Sequence, residues 1–125
     1  MDRQKRRRLK HILESRRDEV LEILNRLQEE ARTMDDDSPQ DSADRSISSL
    51  SKESLFQQSS QRRRSVRMIE AALERIREGT FGVCDDCGND IQPRRLDALP
   101  WTQFCLGCQE KHEQEAEQKS VAAFI

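Results

Sequence analysis

The chain has 125 residues, of which 37% are charged, 34% hydrophobic and 4% aromatic, with a formal net charge of −2. So little apolar material excludes a thick globular core and suits thin seams between helices. The near-balanced total excludes a uniformly basic nucleic-acid binder and an acidic disordered tail, but it hides a block pattern: residues 1–34 and 47–79 are each net +3, and 35–46 and 80–125 are each net −4.

The opening stretch, "MDRQKRRRLK", is basic but is not followed by the apolar run of a signal peptide. No stretch approaches the length of a transmembrane helix. These features predict a soluble, cytoplasmic protein with no membrane partner, in which thiols stay reduced. The four cysteines then need a reason other than disulfides.

From Leu9 onward the apolar positions step by four and three through Leu13, Val20, Ile23, Leu27 and Met34, with Arg16 and Glu30 filling the gaps. That is a heptad seam, broadened by Ile12, Leu24 and Ala31. The spacing predicts a helix over roughly 3–34. Residues 35–45 have the composition of a loop, rich in Asp and Ser with Pro39. Asp41, Ser42 and Asp44 are candidate N-caps for a second helix. In that helix Leu55, Val66, Ile69, Leu73 and Ile76 repeat the stepping, and Gly79 is a natural stop. The middle, "QQSSQRRRS", is polar, so packing there should be weakest. Two such helices joined by a short loop should fold back antiparallel, each arm about 45–50 Å long, with the acidic break at the tip.

"CDDC" at 84–87 and "CLGC" at 105–108 form C-x2-C-x17-C-x2-C. Zn²⁺ wants four tetrahedral ligands, and two residues between cysteines let each knuckle turn back and offer both sulfurs. Cys84, Cys87, Cys105 and Cys108 are therefore the predicted ligands of one structural zinc, with Gly88 and Gly107 at the knuckle turns. A redox C-x-x-C is the rival, but it normally stands in a βαβ context that this sequence lacks. A closed four-cysteine site has no spare position for chemistry at the metal. Arg94, Arg95 and Lys111 are candidates to offset its −2 charge. Trp101, Phe81, Val83, Ile91, Leu96, Leu99 and Phe104 should form a mini-core. His11 and His112 read as surface residues, and a short helix should follow the second knuckle. No catalytic constellation is visible, so no enzyme is expected.

The predicted architecture is mainly α: a long antiparallel coiled-coil helical hairpin over 1–79 with an acidic tip at 35–46. A small four-cysteine zinc-finger module with a short C-terminal helix follows over 80–125.

The acidic break, "FGVCDDCGNDIQPRRL" and the second C-x-x-C together resemble the DksA/TraR zinc-finger family of bacterial transcription regulators, over about residues 5–118. The resemblance implies direct binding to RNA polymerase, core or holoenzyme. It also implies insertion of the hairpin tip through the secondary channel, altered promoter-complex stability, and contact with DNA only through polymerase. A monomer is expected. The family's tip motif, D-x-x-D-x-A, falls on Asp41, Asp44 and Ser46, the last in place of Ala. The basic residues that the family uses for guanosine tetraphosphate fall on Met68, Leu99 and Gln109, none of them cationic, so dependence on that nucleotide is not expected. Arg67 or Lys111 are the nearby cations that could substitute. The alternative reading is a zinc-stabilised interaction or DNA-binding protein acting outside the channel through Arg62–Arg64 and the N-terminal basic run.

Overall fold

The heptad seams become two long helices, α1 (Arg3–Asp36) and α2 (Ser42–Glu78). A one-and-a-half-turn helix, α3 (Pro93–Ala98), and a longer one, α4 (Leu106–Phe124), follow. The computed structural model describes the backbone of residues 1–36 and 42–124, and the side chains of residues 1–34 and 49–123. Of the expected tip residues, Asp41 lies outside the described residues. Asp44 and Ser46 fall within α2, with their side chains outside the described set.

Local chemistry sets the helix ends. Asp2 caps α1: its Oδ1 accepts the Lys5 backbone N–H at 2.7 Å, and this bond draws the Asp2 carboxyl below its ordinary pKa. At the other end of α2, Gly79 takes φ +80°. There the Thr80 N–H reaches the Arg75 carbonyl at 3.0 Å and the Gly79 N–H the Ile76 carbonyl at 3.4 Å. That is the paired bonding of a Schellman stop, as the glycine predicts.

The chain groups into two compact units. One is Glu14–Glu70, in which α1 and α2 run antiparallel. Only five residues, 37–41, separate the helices, and Val20 and Leu24 of α1 pack with Val66 of α2. Leu27, Leu55 and Ile69 are also buried there, so the stepping by three and four found the seam. Ser59, in the polar stretch expected to pack weakly, is buried too. Leu50, nearer the start of α2, is exposed.

The other unit comprises Met1–Leu13 with Ala71–Ile125. Its core joins Leu9 to Cys84, Ile91, Leu96 and Cys108, with Phe81, Phe104 and Cys105 packed against them. Leu9 therefore closes the zinc-finger core from the start of α1. Leu13 and Ala72 are fully buried in this unit. A Leu→Ala change at a site like Leu13 typically costs about 2–5 kcal/mol. The expected mini-core holds in Ile91 and Leu96, whereas Leu99 is exposed and Trp101 only half-buried.

Candidate metal centre

The first knuckle is a tight backbone turn. Val83 and Asp90 form a single antiparallel bridge, Cys84 N–H donates to the Asn89 carbonyl at 2.8 Å, and Gly88 N–H donates to the Cys84 carbonyl at 3.1 Å. Gly88 has φ +73°, a conformation that side-chain-bearing residues rarely adopt. This places Cys84, buried, and Cys87, exposed, on one side of the turn.

The second knuckle is built differently from the sequence expectation. Gly107 is not a strained turn residue; it lies in the first turn of α4, and no positive φ is found there. Cys105 stands just before the helix, its carbonyl accepting the Gln109 N–H at 2.9 Å, and Cys108 is one turn on. The C-x-x-C spacing is thus met by helical geometry, which brings positions three apart onto one face. The second permissive glycine is Gly82, with φ +87° and room for a Cβ only 3.1 Å from Met1 Cε. The Asp85 N–H donates to the Gln103 carbonyl at 2.9 Å and ties the two knuckles together.

The four Sγ atoms all lie within 4.8 Å of one another, and Cys87 Sγ is 3.8 Å from Cys105 Sγ. A tetrahedron with Zn–S bonds of about 2.3 Å has edges of about 3.8 Å, so the cluster fits zinc. A disulfide needs sulfurs at about 2.05 Å, and all four cysteines are free. Four thiols this close cannot all ionise unaided. Hydrogen bonding to Cys105, then burial and the other sulfurs, pushes the Cys108 thiol up to about 12. Burial also acts to raise Cys84, but the backbone N–H groups of Cys87, Cys105 and Asp86 outweigh it and lower that thiol to about 6. A dication among four thiolates removes the conflict. The α4 N-terminus adds its partial positive charge beside Cys105 and Cys108.

The surrounding side chains hold the knuckles in place. Arg95 donates from Nε to the Phe104 carbonyl at 3.0 Å and from Nη2 to Thr102 Oγ1 at 3.3 Å. The Thr102 hydroxyl in turn donates to the Phe104 carbonyl at 3.1 Å. Arg75, near the end of α2, donates to the Trp101 and Thr102 carbonyls at 3.4 and 3.3 Å. Burial lowers the Arg75 pKa, and Asp85 partly restores it. Lys5 pairs with Asp97 at 3.3 Å.

His112 is not a plain surface residue: it contacts Asp86 through Nε2 and stacks on Phe104 with ring centroids 4.3 Å apart. Sequence reasoning missed this pair and the role of Arg75. His112 did carry a signal, being one helical turn beyond Cys108, whereas a cation in the last turn of α2 looks like any dipole partner.

Residues 79–114 match the prokaryotic DksA/TraR C4-type zinc finger. Residues 79–114 are thus a zinc finger of the DksA/TraR type. Within this DksA/TraR finger the four cysteines hold one structural zinc. The chain is 40% identical over 60 residues to the RNA polymerase-binding transcription factor DksA of Haemophilus influenzae. It is 29% identical over 92 residues to the protein of the same name from Escherichia coli K12. Those matches cover 48% and 74% of this chain, and 40% and 58% of the two relatives' own length. The solved structure of transcription factor DksA2 from Pseudomonas aeruginosa superposes with a TM-score of 0.80 at 23% identity, over 93% of this chain and 88% of that one. The helical hairpin, zinc finger and C-terminal helix are therefore a DksA-like fold. No helix among the described residues is long and apolar enough to cross a membrane.

Proposed function

We propose that this chain is a non-enzymatic transcription regulator that binds RNA polymerase directly in the bacterial cytoplasm. It acts as a monomer, inserts its hairpin tip through the secondary channel and alters the stability of promoter complexes. The observation that carries this reading is the combination of a DksA/TraR zinc finger with an antiparallel helical hairpin whose connection is acidic. Two relatives, those of Haemophilus influenzae and Escherichia coli K12, are named RNA polymerase-binding transcription factors. In this reading Asp41 and Asp44, with Ser46 beside them, act near the polymerase active site, where carboxylates can hydrogen-bond or shift the local field. The zinc centre is structural and takes no part in chemistry. DNA is contacted only through polymerase.

The positions read as the family's cationic nucleotide contacts, Met68, Leu99 and Gln109, offer an exposed thioether, an exposed aliphatic chain and an amide that donates to Glu113 at 3.2 Å. None supplies the charge that a tetraphosphate needs, so regulation is independent of guanosine tetraphosphate at that site.

The test is competition on core polymerase. Addition of a protein known to occupy the secondary channel should displace this chain, and the reverse should hold. Simultaneous binding of both would remove the channel reading. Salt-sensitive binding to naked duplex DNA, with no affinity for polymerase, would establish the alternative.

A further inference from the structure

The four cysteines of the metal centre are not equally protected. Cys84 and Cys108 are buried, Cys105 is half-buried and Cys87 is exposed. Cys87 and Cys105 face each other with their Sγ atoms 3.8 Å apart, so these two form the outer edge of the site. A closed ligand set opens first where an incoming donor can reach a sulfur, and here that is the Cys87 edge.

Main-chain bonding leaves Cys87 the least anchored of the four. The Cys84 N–H donates to the Asn89 carbonyl, and the Cys84 carbonyl accepts from Gly88. The Cys105 carbonyl holds the Gln109 N–H, and Cys108 lies within α4. Cys87 has no hydrogen bond to another main-chain group among the described residues. One side chain makes up for this. His112 reaches the Asp86 carboxylate through Nε2 and packs its ring on Phe104, with centroids 4.3 Å apart. Asp86 immediately precedes Cys87, and Phe104 immediately precedes Cys105. A single imidazole therefore braces the residue before each cysteine of the outer edge. Asp86 and His112 are both partly exposed, so their contact adds little to the stability of the whole unit. Its effect falls on local opening of the first knuckle away from α4.

We propose that Cys87 is the ligand at which this zinc site loads and unloads, and that the Asp86–His112 contact, seated on Phe104, is the latch that sets how often that edge opens. His112 is a positioning residue. It acts on Cys87 through Asp86 and on Cys105 through Phe104, and it does not join the cluster of candidate ligand atoms. The exchange partner that fits is a small chelating or thiol-bearing molecule able to approach an exposed sulfur. The proposal concerns the finger alone and does not depend on the function proposed above.

The experiment uses the full chain loaded with zinc. Metal release to an excess of chromogenic chelator is timed for the parent, His112→Ala, Asp86→Ala and the double variant. Two partial replacements are timed with them: His112→Phe keeps a ring and loses the bond, and Asp86→Asn keeps an acceptor and loses the charge. Glu113→Gln is the control, because that carboxylate accepts from Gln109 within α4 and does not cross to the knuckle. Each alanine variant should release zinc about fivefold to tenfold faster, and the double variant no faster than His112→Ala. The partial replacements should fall between, with the control at the parent rate. Limited alkylation of the loaded protein, mapped by mass spectrometry, should mark Cys87 first, and sooner in the latch variants. Cobalt-substituted forms should all keep the parent's four-thiolate spectrum. Parent-like release from both alanine variants would overturn the latch, and first alkylation at any other cysteine would overturn the Cys87 edge. A changed cobalt spectrum would mean that His112 or Asp86 alters the coordination itself, which also overturns the proposal. If His112→Ala cannot be isolated with zinc, His112→Phe and Asp86→Asn carry the same comparison.

Discussion

Arg95 of α3 donates its Nε–H to the Phe104 carbonyl, 3.0 Å away and immediately before the ligand Cys105. The same guanidinium reaches Thr102 Oγ1, so α3 fixes the approach to the second knuckle. Arg95→Ala should remove both bonds and leave the Phe104 carbonyl with the Thr102 hydroxyl as its donor. A hydrogen bond to a charged group contributes about 1.5–3 kcal/mol, and the loss should fall on the zinc-finger unit. Faster zinc transfer to a chromogenic chelator, with helicity of the hairpin unchanged, is the expected result. An unchanged release rate would reduce Arg95 to a surface contact. Arg95→Lys should rescue only in part, because one ammonium cannot copy the fork.

Removing the metal should loosen one compact unit and spare the other. Elemental analysis of protein purified under reducing conditions should give one zinc per chain. Replacement of any of Cys84, Cys87, Cys105 or Cys108 by Ser, or treatment with a strong chelator, should speed amide exchange across residues 80–110. Much of the helix in Glu14–Glu70 should remain, since that unit has its own buried residues. Loss of all helical signal on chelation would show that the hairpin cannot stand without the finger.

Glycine positions give a sharper stability test. Gly82→Ala must hold φ near +87° and should cost about 1–3 kcal/mol. The Met1 side chain can move aside, so the backbone and not the contact sets the cost. Gly107→Ala meets nothing within 4 Å and sits in a helix, so it should be neutral or stabilising by up to about 1 kcal/mol. Thermal melts of the two variants should move in opposite directions or differ by several degrees.

Asp41→Asn and Asp44→Asn remove charge with little change of shape. Under the proposed function they should leave affinity for polymerase largely intact and abolish the effect on transcription. Equal loss of both would make the tip an anchor.

With a polymerase that lacks any other site for the nucleotide, transcription in the presence of this protein should respond little to micromolar guanosine tetraphosphate. A strong synergistic response would show that other cations, Arg67 and Lys111 first among them, have rebuilt the site.

The helical hairpin was legible because a heptad seam is a one-dimensional pattern: Leu9, Leu13, Val20 and Leu27 step by seven or by its parts, and all are buried. The zinc ligands were legible because four cysteines at standard spacing leave few alternatives. What escaped depends on contacts distant in sequence. Nothing near Leu9 says that it closes the finger's core, and nothing near Arg75 says that it holds carbonyls at 101 and 102. Gly107 misled for the opposite reason, since a glycine in a knuckle looks local, yet a helix N-terminus supplied the turn.

The core that joins Leu9 to Cys84, Ile91, Leu96 and Cys108 also constrains the order in which the molecule can be made. Leu9 leaves the ribosome long before its partners, and its burial must wait until Cys108 has emerged and the metal is in place. The hairpin unit can form first from neighbouring seams, whereas the start of α1 stays uncovered through most of synthesis. A chain interrupted before the second knuckle therefore leaves Leu9 uncovered and two thiols unclosed, marks that set an unfinished product apart from a finished one.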